Sequence, residues 1–413
     1  MAVKVLIVDD SGFFRKRIEE MLQTEPRIKV VGTASNGVEA VEQAVRLRPD
    51  VITMDVEMPG MSGIEAVRHI MQKAPTQVLM LSSLTHEGAR VTLQALEAGA
   101  ADYLPKEASA WISNKSELQQ DLIRRVVALG QQRSPYARTG SPFSIPTTSA
   151  TPGRTFVAKP DPKPVQSSPV SRPVASGATV TGSTPSPIRQ TVSPSGAASS
   201  SYVSRASNDR SGAVTTSVER IKIPDASIVV IGSSTGGPGA LQILLSQIPA
   251  SFPAPILLIQ HMPNTFTSVF AERLNKNCQI EVRQAVNGDR LRPGLALLAP
   301  GGMQMIIDPR QRDRVSVLEG DASLTYKPSV DVTYASIARC FGSRAHALIL
   351  TGMGADGAEG AKLLKREGAT IWAQSKDSCT IYGMPAAIVS AGLADDVLDI
   401  NDLGRALAKR GRH

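Results

Sequence analysis

The sequence predicts an α/β protein made of two doubly wound parallel-sheet domains joined by a disordered linker. Apolar runs of strand length alternate with amphipathic helical patterns in residues 1–129 and again in residues 223–413. Residues 130–222, between them, are rich in Ser, Pro, Thr and Gly and poor in apolar side chains. Alternating strand and helix signals are typical of parallel sheets covered by helices, whereas the middle segment buries too little apolar surface to offset the entropy of ordering.

Five strand–helix repeats are expected in the first domain. Parallel sheets of this kind bind their ligands at the carboxyl ends of the strands, so polar residues at those ends are the candidate site residues. The strand candidates are Val3–Val8, Val30–Thr33, Val51–Met54, Val78–Leu81 and Asp102–Leu104, and the helical patterns between them are Phe13–Leu22, Val38–Val45, Ile64–Met71 and Ala89–Ala98.

The second domain repeats the alternation, with one interruption. Residues 289–318, with Asp308-Pro309 as a turn signal, are more typical of hairpins than of helices, so we expect a mainly parallel sheet with a small antiparallel part. Its strand candidates are Ser227–Ile231, Pro255–Gln260, Leu295–Ala299, Val315–Leu318, Ala347–Thr351 and Ala369–Ala373.

Charge and composition exclude several classes of protein. The net charge is +8, yet residues 131–222 hold 11 Lys and Arg against 3 Asp and Glu, so the rest of the chain is neutral. No folded basic face with interleaved aromatics is indicated, and we expect no nucleic-acid partner. Apolar runs are too short for a signal peptide or a membrane helix, and the three cysteines lack CxxC spacing. We expect a cytoplasmic monomer with reduced thiols and no membrane insertion.

Polar residues follow four of the five strands predicted in the first domain. Asp9 and Asp10 end the first strand and Asp55 ends the third, so their carboxylates should meet at one sheet edge and repel one another unless a cation lies between them. Hard oxygen ligands suit Mg²⁺. Ser82 and Lys106 follow two further strands and would suit a phosphoryl group, with one aspartate as its acceptor. The alternative for each residue alone is a helix cap or a turn.

On these residues the first domain resembles the response-regulator receiver family over essentially all of residues 1–125. The resemblance implies a flavodoxin-like fold and phosphorylation of Asp55 by a partner histidine kinase. It further implies that Asp10, Asp55 and the backbone carbonyl of Glu57 bind Mg²⁺ with assistance from Asp9. The matching residues are Asp9, Asp10, Asp55–Gly63, Ser82, Tyr103 and Lys106.

The same resemblance assigns the receiver its switch residues. Ser82 and Lys106 would contact the phosphoryl group, and Tyr103 would be the aromatic side chain that changes rotamer. One position departs from the family pattern: Glu107 follows the lysine, where the family usually has proline, and Pro105 precedes it.

Three strand ends of the second domain offer the parts of a serine hydrolase. Ser234 lies in a Gly/Ser turn between an apolar strand and a helix, where backbone N–H groups favour developing negative charge. His261 follows the next strand and could take the serine proton, and Asp356 follows a later strand and could orient the imidazole. The glycine-dense run Gly352–Gly357 would let backbone N–H groups approach an oxyanion, with Met353 N–H as the candidate donor.

Other interpretations of these motifs remain open or are disfavoured. Taken alone, His261 could be an ordinary loop histidine, and Asp356 could cap an ordinary turn. His346 lies before its predicted strand, at the opposite edge, and is expected to be structural. The chain order Ser, His, Asp disfavours the α/β-hydrolase family, and the turn after the first strand, from Gly232, lacks G-x-G-x-x-G, which disfavours a dinucleotide site there.

With these motifs together, the second domain resembles the catalytic domain of the chemotaxis methylesterases, the CheB family, over about residues 225–405. The resemblance implies a Rossmann-like fold, with Ser234 as nucleophile, His261 as base and Asp356 as its orienting acid. The matching segments are Ile231–Pro238, Gln260–Pro263, Arg273–Asn275, Ala299–Gly302, Lys327–Asp331, Leu350–Gly357 and Tyr382–Pro385.

The resemblance also implies the activity and its regulation. Met353 N–H would be an oxyanion donor, Thr235 would support the serine turn, and the hydrolase site would need no cofactor. We expect hydrolysis of glutamyl γ-methyl esters on methyl-accepting chemotaxis receptors, release of methanol, and deamidation of receptor glutamines. The receiver would cover the site until Asp55 is phosphorylated. The alternatives are a catalytically silent binding module that sequesters a kinase or scaffold, and a DNA-binding output.

Overall fold

The computed structural model describes residues 2–107, 111, 116–132 and 224–410. The predicted linker therefore lies outside the described residues, except for residues 130–132. None of the described helices has the combination of length and apolar character that a bilayer-spanning segment requires.

The first domain is a five-stranded parallel sheet with the strand order β2-β1-β3-β4-β5. Every predicted strand and helix is present, with ends that differ by a few residues. The elements are β1 (Val3–Val8), α1 (Gly12–Gln23), β2 (Ile28–Ala34), α2 (Gly37–Leu47), β3 (Val51–Asp55), α3 (Gly63–Lys73), β4 (Gln77–Ser82), α4 (His86–Glu97), β5 (Asp102–Pro105) and α5 (Ser116–Gly130).

Burial and capping explain why these segments adopt these elements. All residues of the central strands β3 and β4 are buried because helices cover both faces of the sheet, which is why the strands occur in sequence as continuous apolar runs. Helix α3 begins with a capping box in which the Ser62 side chain accepts from Glu65 N and the Glu65 carboxylate accepts from Ser62 N. Asn36, the residue before α2, caps that helix because its side chain accepts a hydrogen bond from Glu39 N.

The second domain is a seven-stranded parallel sheet with the order β14-β13-β12-β6-β7-β9-β8. Both domains are therefore doubly wound parallel α/β folds, as predicted. The elements are β6 (Ile228–Ser233), α6 (Gly237–Leu245), β7 (Ile256–Gln260), α7 (Asn264–Asn277), β8 (Glu281–Gln284), β9 (Leu295–Leu298), β10 (Gln304–Ile307), β11 (Val315–Leu318), α8 (Val330–Phe341), β12 (Ala345–Ile349), α9 (Ala358–Arg366), β13 (Thr370–Gln374), α10 (Met384–Ser390), β14 (Asp396–Leu398) and α11 (Ile400–Arg410).

The small antiparallel part is the hairpin β10–β11, in which Gln304 pairs with Leu318 and Ile307 pairs with Val315. The prediction of hairpins across residues 289–318 was wrong for Leu295–Leu298, which joins the main sheet as the parallel strand β9. That strand is buried on both faces between β7 and β8, so its side chains pack as in the other parallel strands.

His346 requires a second correction. It is the second residue of β12 rather than a residue before the strand. It still lies at the amino end of the sheet, far from the strand ends that carry Ser234 and His261. The side chain is fully buried and meets the Trp372 ring edge-on at 4.2 Å. A structural role at this edge agrees with the expectation from the sequence.

The order of the strands creates the crevice at which the candidate site forms. Strand β6 lies between β7 on one side and β12 on the other, so the connection from β6 to β7 and the connection from β12 to β13 run in opposite directions. Crevices at such switch points, outside the carboxyl ends of the strands, are where open α/β sheets bind ligands. Ser234, His261 and Asp356 follow β6, β7 and β12 respectively.

Candidate active site and phosphorylation site

Ser234 lies in a tight turn between β6 and α6. Its N–H donates to Thr351 O at 3.0 Å and its carbonyl accepts from Gly237 N at 2.7 Å, so backbone contacts on both sides fix the residue. Gly236 adopts φ +76°, a conformation that favours glycine, and a Cβ there would lie 2.3 Å from Thr380 Oγ1. The turn holds the half-buried Ser234 at the amino end of α6.

His261 follows β7 beside the serine turn. Ser233 pairs with Gln260 across the two strands, and His261 N donates to Ser233 O at 3.2 Å. The imidazole Nε2 is 2.8 Å from Asp356 Oδ2, while Nδ1 is buried and has no hydrogen-bond partner in the described part of the chain. Nδ1 is thus the nitrogen left to receive a proton. No hydrogen bond joins Ser234 Oγ to His261 among the described residues, and catalytic hydrogen bonds are often long in the absence of ligand.

The amino end of α8 holds Asp356. Oδ1 accepts from Ser329 Oγ at 2.9 Å and from Asp331 N at 3.1 Å, and Oδ2 accepts from Val330 N at 2.7 Å. Burial favours the neutral carboxyl, yet the hydrogen bond and charge of His261, together with these backbone donors, hold the pKa of Asp356 below its usual value. The carboxylate therefore remains ionised and fixes the imidazole rather than taking its proton.

The glycine-rich loop after β12 passes directly over Ser234. A Cβ at Gly352 would lie 2.9 Å from Ser234 Cβ and 2.2 Å from Met384 Sδ, so only glycine permits this approach. Gly352 N donates to Ile381 O at 3.0 Å, which ties the loop to a neighbouring segment. Met353 N–H makes no hydrogen bond with the described part of the chain, and it is free to meet a ligand oxygen.

The first domain, the predicted receiver, contacts the edge of this site. Thr235, next to Ser234, donates its hydroxyl to Asp102 Oδ2 at 2.7 Å, while its carbonyl accepts from Thr351 Oγ1 at 2.9 Å. Its backbone thus supports the serine turn and its side chain binds the receiver. Asp102 is also paired with Arg125 of α5. The Met353 side chain packs against a hydrophobic cluster that is formed mainly by core residues of the first domain.

Two further contacts join the receiver to α7. The Tyr103 ring stacks on Phe266, with 4.5 Å between centroids and 4° between planes, and Glu97 forms an ion pair with Arg273. Tyr103 is buried, and removal from water raises the pKa of its phenol well above its usual value. The predicted switch aromatic is thus part of the interface between the domains.

The acidic residues of the receiver meet as predicted. One carboxylate oxygen from each of Asp9, Asp10 and Asp55 lies within 4.8 Å of the other two. Lys106 Nζ is 2.7 Å from Asp9 Oδ2 and 2.6 Å from Asp55 Oδ2. Burial, aided by the charge of Asp9, raises the pKa of Asp55 to about 6. Three hard oxygen donors, two of them on the buried residues Asp9 and Asp55, fit a divalent cation such as Mg²⁺.

Ser82 and Glu57 are the other residues predicted to act at this pocket. The Ser82 hydroxyl accepts from Thr92 Oγ1 at 2.5 Å, and no hydrogen bond links it to Asp55 among the described residues. Glu57 is exposed, two residues beyond Asp55. Thr92 is a contact that the sequence did not indicate.

Fold and site together define a class of protein: a receiver domain covalently joined to an α/β domain with serine-hydrolase geometry. Two family models match the chain in that order. The response regulator receiver domain matches residues 5–112, and the CheB methylesterase domain matches residues 229–407.

Curated relatives match along the whole length. The protein-glutamate methylesterase/protein-glutamine glutaminase of group 1 operon of Pseudomonas putida KT2440 is 49% identical over 99% of both chains. A protein of the same name, numbered 1, from Pseudomonas aeruginosa PAO1 is 50% identical over 99% of both chains. The crystal structure of the Thermotoga maritima CheB methylesterase catalytic domain is 38% identical, with a TM-score of 0.43, over 45% of this chain and 98% of that one.

The chain therefore belongs to the CheB family of methylesterases with an amino-terminal receiver domain. This confirms the family, the fold class and the expectation of an ester hydrolase. Site residues beyond the predicted ones are Ser329, which holds Asp356, and Tyr326, whose ring stacks on His261. Sequence analysis placed Ser329 in a matching segment but assigned it no role. A serine before an apolar helical pattern is a helix-cap signal, whereas no local pattern indicates Tyr326.

Proposed function

We propose that the protein is a phosphorylation-activated methylesterase and deamidase acting on methyl-accepting chemotaxis receptors. It hydrolyses glutamyl γ-methyl esters to glutamate and methanol, and converts selected receptor glutamines to glutamate and ammonia. The observation that carries the proposal is the arrangement of Ser234, His261 and Asp356 at three adjacent strand ends, within a chain of which 99% aligns with relatives bearing these activities in their names.

Each residue has one role in the proposed reaction. Ser234 Oγ attacks the acyl carbon while its proton passes to His261 Nδ1, and Asp356 stabilises the imidazolium through Nε2. Met353 N–H donates to the tetrahedral oxyanion. His261 then returns the proton to the departing methanol oxygen or amide nitrogen. Water loses a proton to His261 and attacks the acyl-enzyme, and Ser234 Oγ leaves with that proton.

Regulation would act through Asp55 of the receiver. A histidine kinase is the proposed phosphodonor. Asp10, Asp55 and the Glu57 carbonyl would hold Mg²⁺, with Asp9 assisting, and the cation would neutralise phosphoryl charge. Lys106, now bound to Asp55, would turn to the phosphoryl group together with Ser82. Contacts at Thr235 and Phe266 support a resting state in which the receiver restricts access to Ser234. Phosphorylation would shift the population toward a state in which these contacts open.

The domain limits are part of the proposal. We assign residues 1–129 to the receiver, residues 130–222 to the linker and residues 223–413 to the catalytic domain. The two family matches, at residues 5–112 and 229–407, lie inside the assigned domains.

Methanol release from methylated receptor membranes tests the function. The full chain with Mg²⁺ and a small-molecule phosphodonor should release methanol, Ser234→Ala should release none, and Asp55→Asn should retain only the basal rate. If folded wild-type protein binds receptors or kinase and releases no methanol, the proposal fails and the silent binding module replaces it.

A further inference from the structure

The ring of Tyr326 lies flat on the imidazole of His261, with 4.2 Å between centroids and 5° between planes. We propose that Tyr326 is a positioning residue, which fixes the plane of the His261 ring so that Nδ1 faces Ser234. The inference rests on the proposed function and deepens it, because it explains how the base of that reaction is held.

The imidazole needs this second support. Asp356 contacts only Nε2, and Nδ1 has no hydrogen-bond partner among the residues that the structure describes. A single hydrogen bond at one edge leaves the ring free to pivot about that contact, and a pivot would move Nδ1 away from the serine. A flat aromatic neighbour restricts the pivot because tilting the imidazole would push it into the phenol ring. Edge and face contacts together leave one orientation.

Hydrogen bonds hold the backbone of the segment that carries Tyr326. Its carbonyl accepts from Gln304 Nε2 at 2.8 Å, and the next carbonyl, of Lys327, accepts from Gly302 N at 2.9 Å. The same Gln304 side chain, buried at the start of β10, accepts from Ser329 N at 2.8 Å through Oε1. Ser329 in turn binds Asp356. The buried Gln304 side chain thus links Tyr326, on the face of the imidazole, to Ser329, which binds Asp356.

The phenol end reaches the glycine-rich loop. A Cβ at Gly354 would lie 3.2 Å from Tyr326 Oη, so the side chain spans from the base to the loop that bears Met353. The electron-rich ring face also favours a cation above it. In the proposed reaction His261 gains positive charge as it takes the serine proton, so the stack should assist the transition state more than substrate binding.

Fluorophosphonate labelling of the full chain, with Mg²⁺ and phosphodonor present, tests this role without a receptor. The reagent bonds its phosphorus to Ser234 Oγ, fluoride leaves and the serine proton passes to His261, so the labelling rate reports the nucleophile and base together. Tyr326→Phe keeps the ring and is the matched control for Tyr326→Leu, which fills similar space without stacking. Tyr326→Met serves the same comparison if thermal denaturation shows the leucine variant to be destabilised.

Tyr326→Phe should label within about 3-fold of wild type, and Tyr326→Leu should be slower by about 100-fold, the cost of misplacing a reacting group by about 1 Å. Methanol assays should show the loss in kcat with KM retained. A leucine variant that labels as fast as the phenylalanine variant and wild type would overturn the inference, because the ring would then not be needed. A phenylalanine variant as slow as the leucine variant would also overturn it, because the hydroxyl would then be responsible. A Tyr326-dependent labelling rate in a protein that releases no methanol would support the inference and reject the proposed function.

Discussion

Loss of the Thr235–Asp102 hydrogen bond should activate the resting enzyme. Thr235→Val keeps the shape of the side chain and removes its donor, while Asp102 retains Arg125 as a partner. No buried charge is left unpaired, so the cost to the closed arrangement is the net value of one hydrogen bond to a carboxylate. Such bonds contribute about 1.5–3 kcal/mol.

The low end of that range applies because Asp102 remains paired. About 1.5 kcal/mol corresponds to about a 10-fold change in the ratio of closed to open molecules. Methanol release without phosphodonor should therefore rise by up to about 10-fold, with the phosphorylated rate as its ceiling. The measured quantity is the ratio of the methanol-release rate without phosphodonor to the rate with phosphodonor. Any direct effect of residue 235 on turnover changes both rates equally and cancels in this ratio.

Arg273→Gln is the control at the same interface. Its partner Glu97 is about one-third exposed, with 34% of its side chain accessible, and exposed pairs contribute only about 0–1 kcal/mol. The basal rate should rise less than in Thr235→Val. A Thr235→Val protein whose ratio of basal to phosphorylated rates equals that of wild type would refute a latch at this position.

Three further predictions concern the catalytic triad, the receiver pocket and His346. Ser234→Ala and His261→Ala should each lower turnover by several orders of magnitude, and the double variant should be little worse; additive losses would contradict a shared mechanism. Folding disfavours the ionised form of Asp55, because burial raises its pKa from 3.8 to about 6. The resulting loss of stability is absent below pH 3.8 and complete above about pH 6. Mg²⁺ should therefore raise the Tm more at pH 7.5 than at pH 5, and it should raise the Tm of Asp55→Asn much less. Burial lowers the pKa of His346 from 6.5 to about 3, so acidification from pH 6.5 toward 3 should reduce the unfolding free energy; His346→Leu should flatten this dependence in denaturant titrations and spare turnover.

The sequence by itself determined the elements and the strand ends at which polar residues collect. Strands such as β4 and β7 are buried on both faces, so they must be continuous apolar runs, and such runs are visible without a structure. Parallel strands carry their loops at one edge, so Ser234, His261 and Asp356 could be grouped from position alone. Leu295–Leu298 shows the limit, because a short apolar run does not reveal whether its partner strand is parallel or antiparallel.

Only the tertiary structure decided how the grouped residues meet. The nitrogen of His261 that faces Asp356, the three donors from the start of α8, and the Tyr326 ring on the imidazole all depend on side-chain directions that no local pattern encodes. The contact of Thr235 with Asp102 joins residues 133 positions apart in two domains. Such pairs are set by how packed elements approach one another, whereas periodicity records only which face of each element is buried.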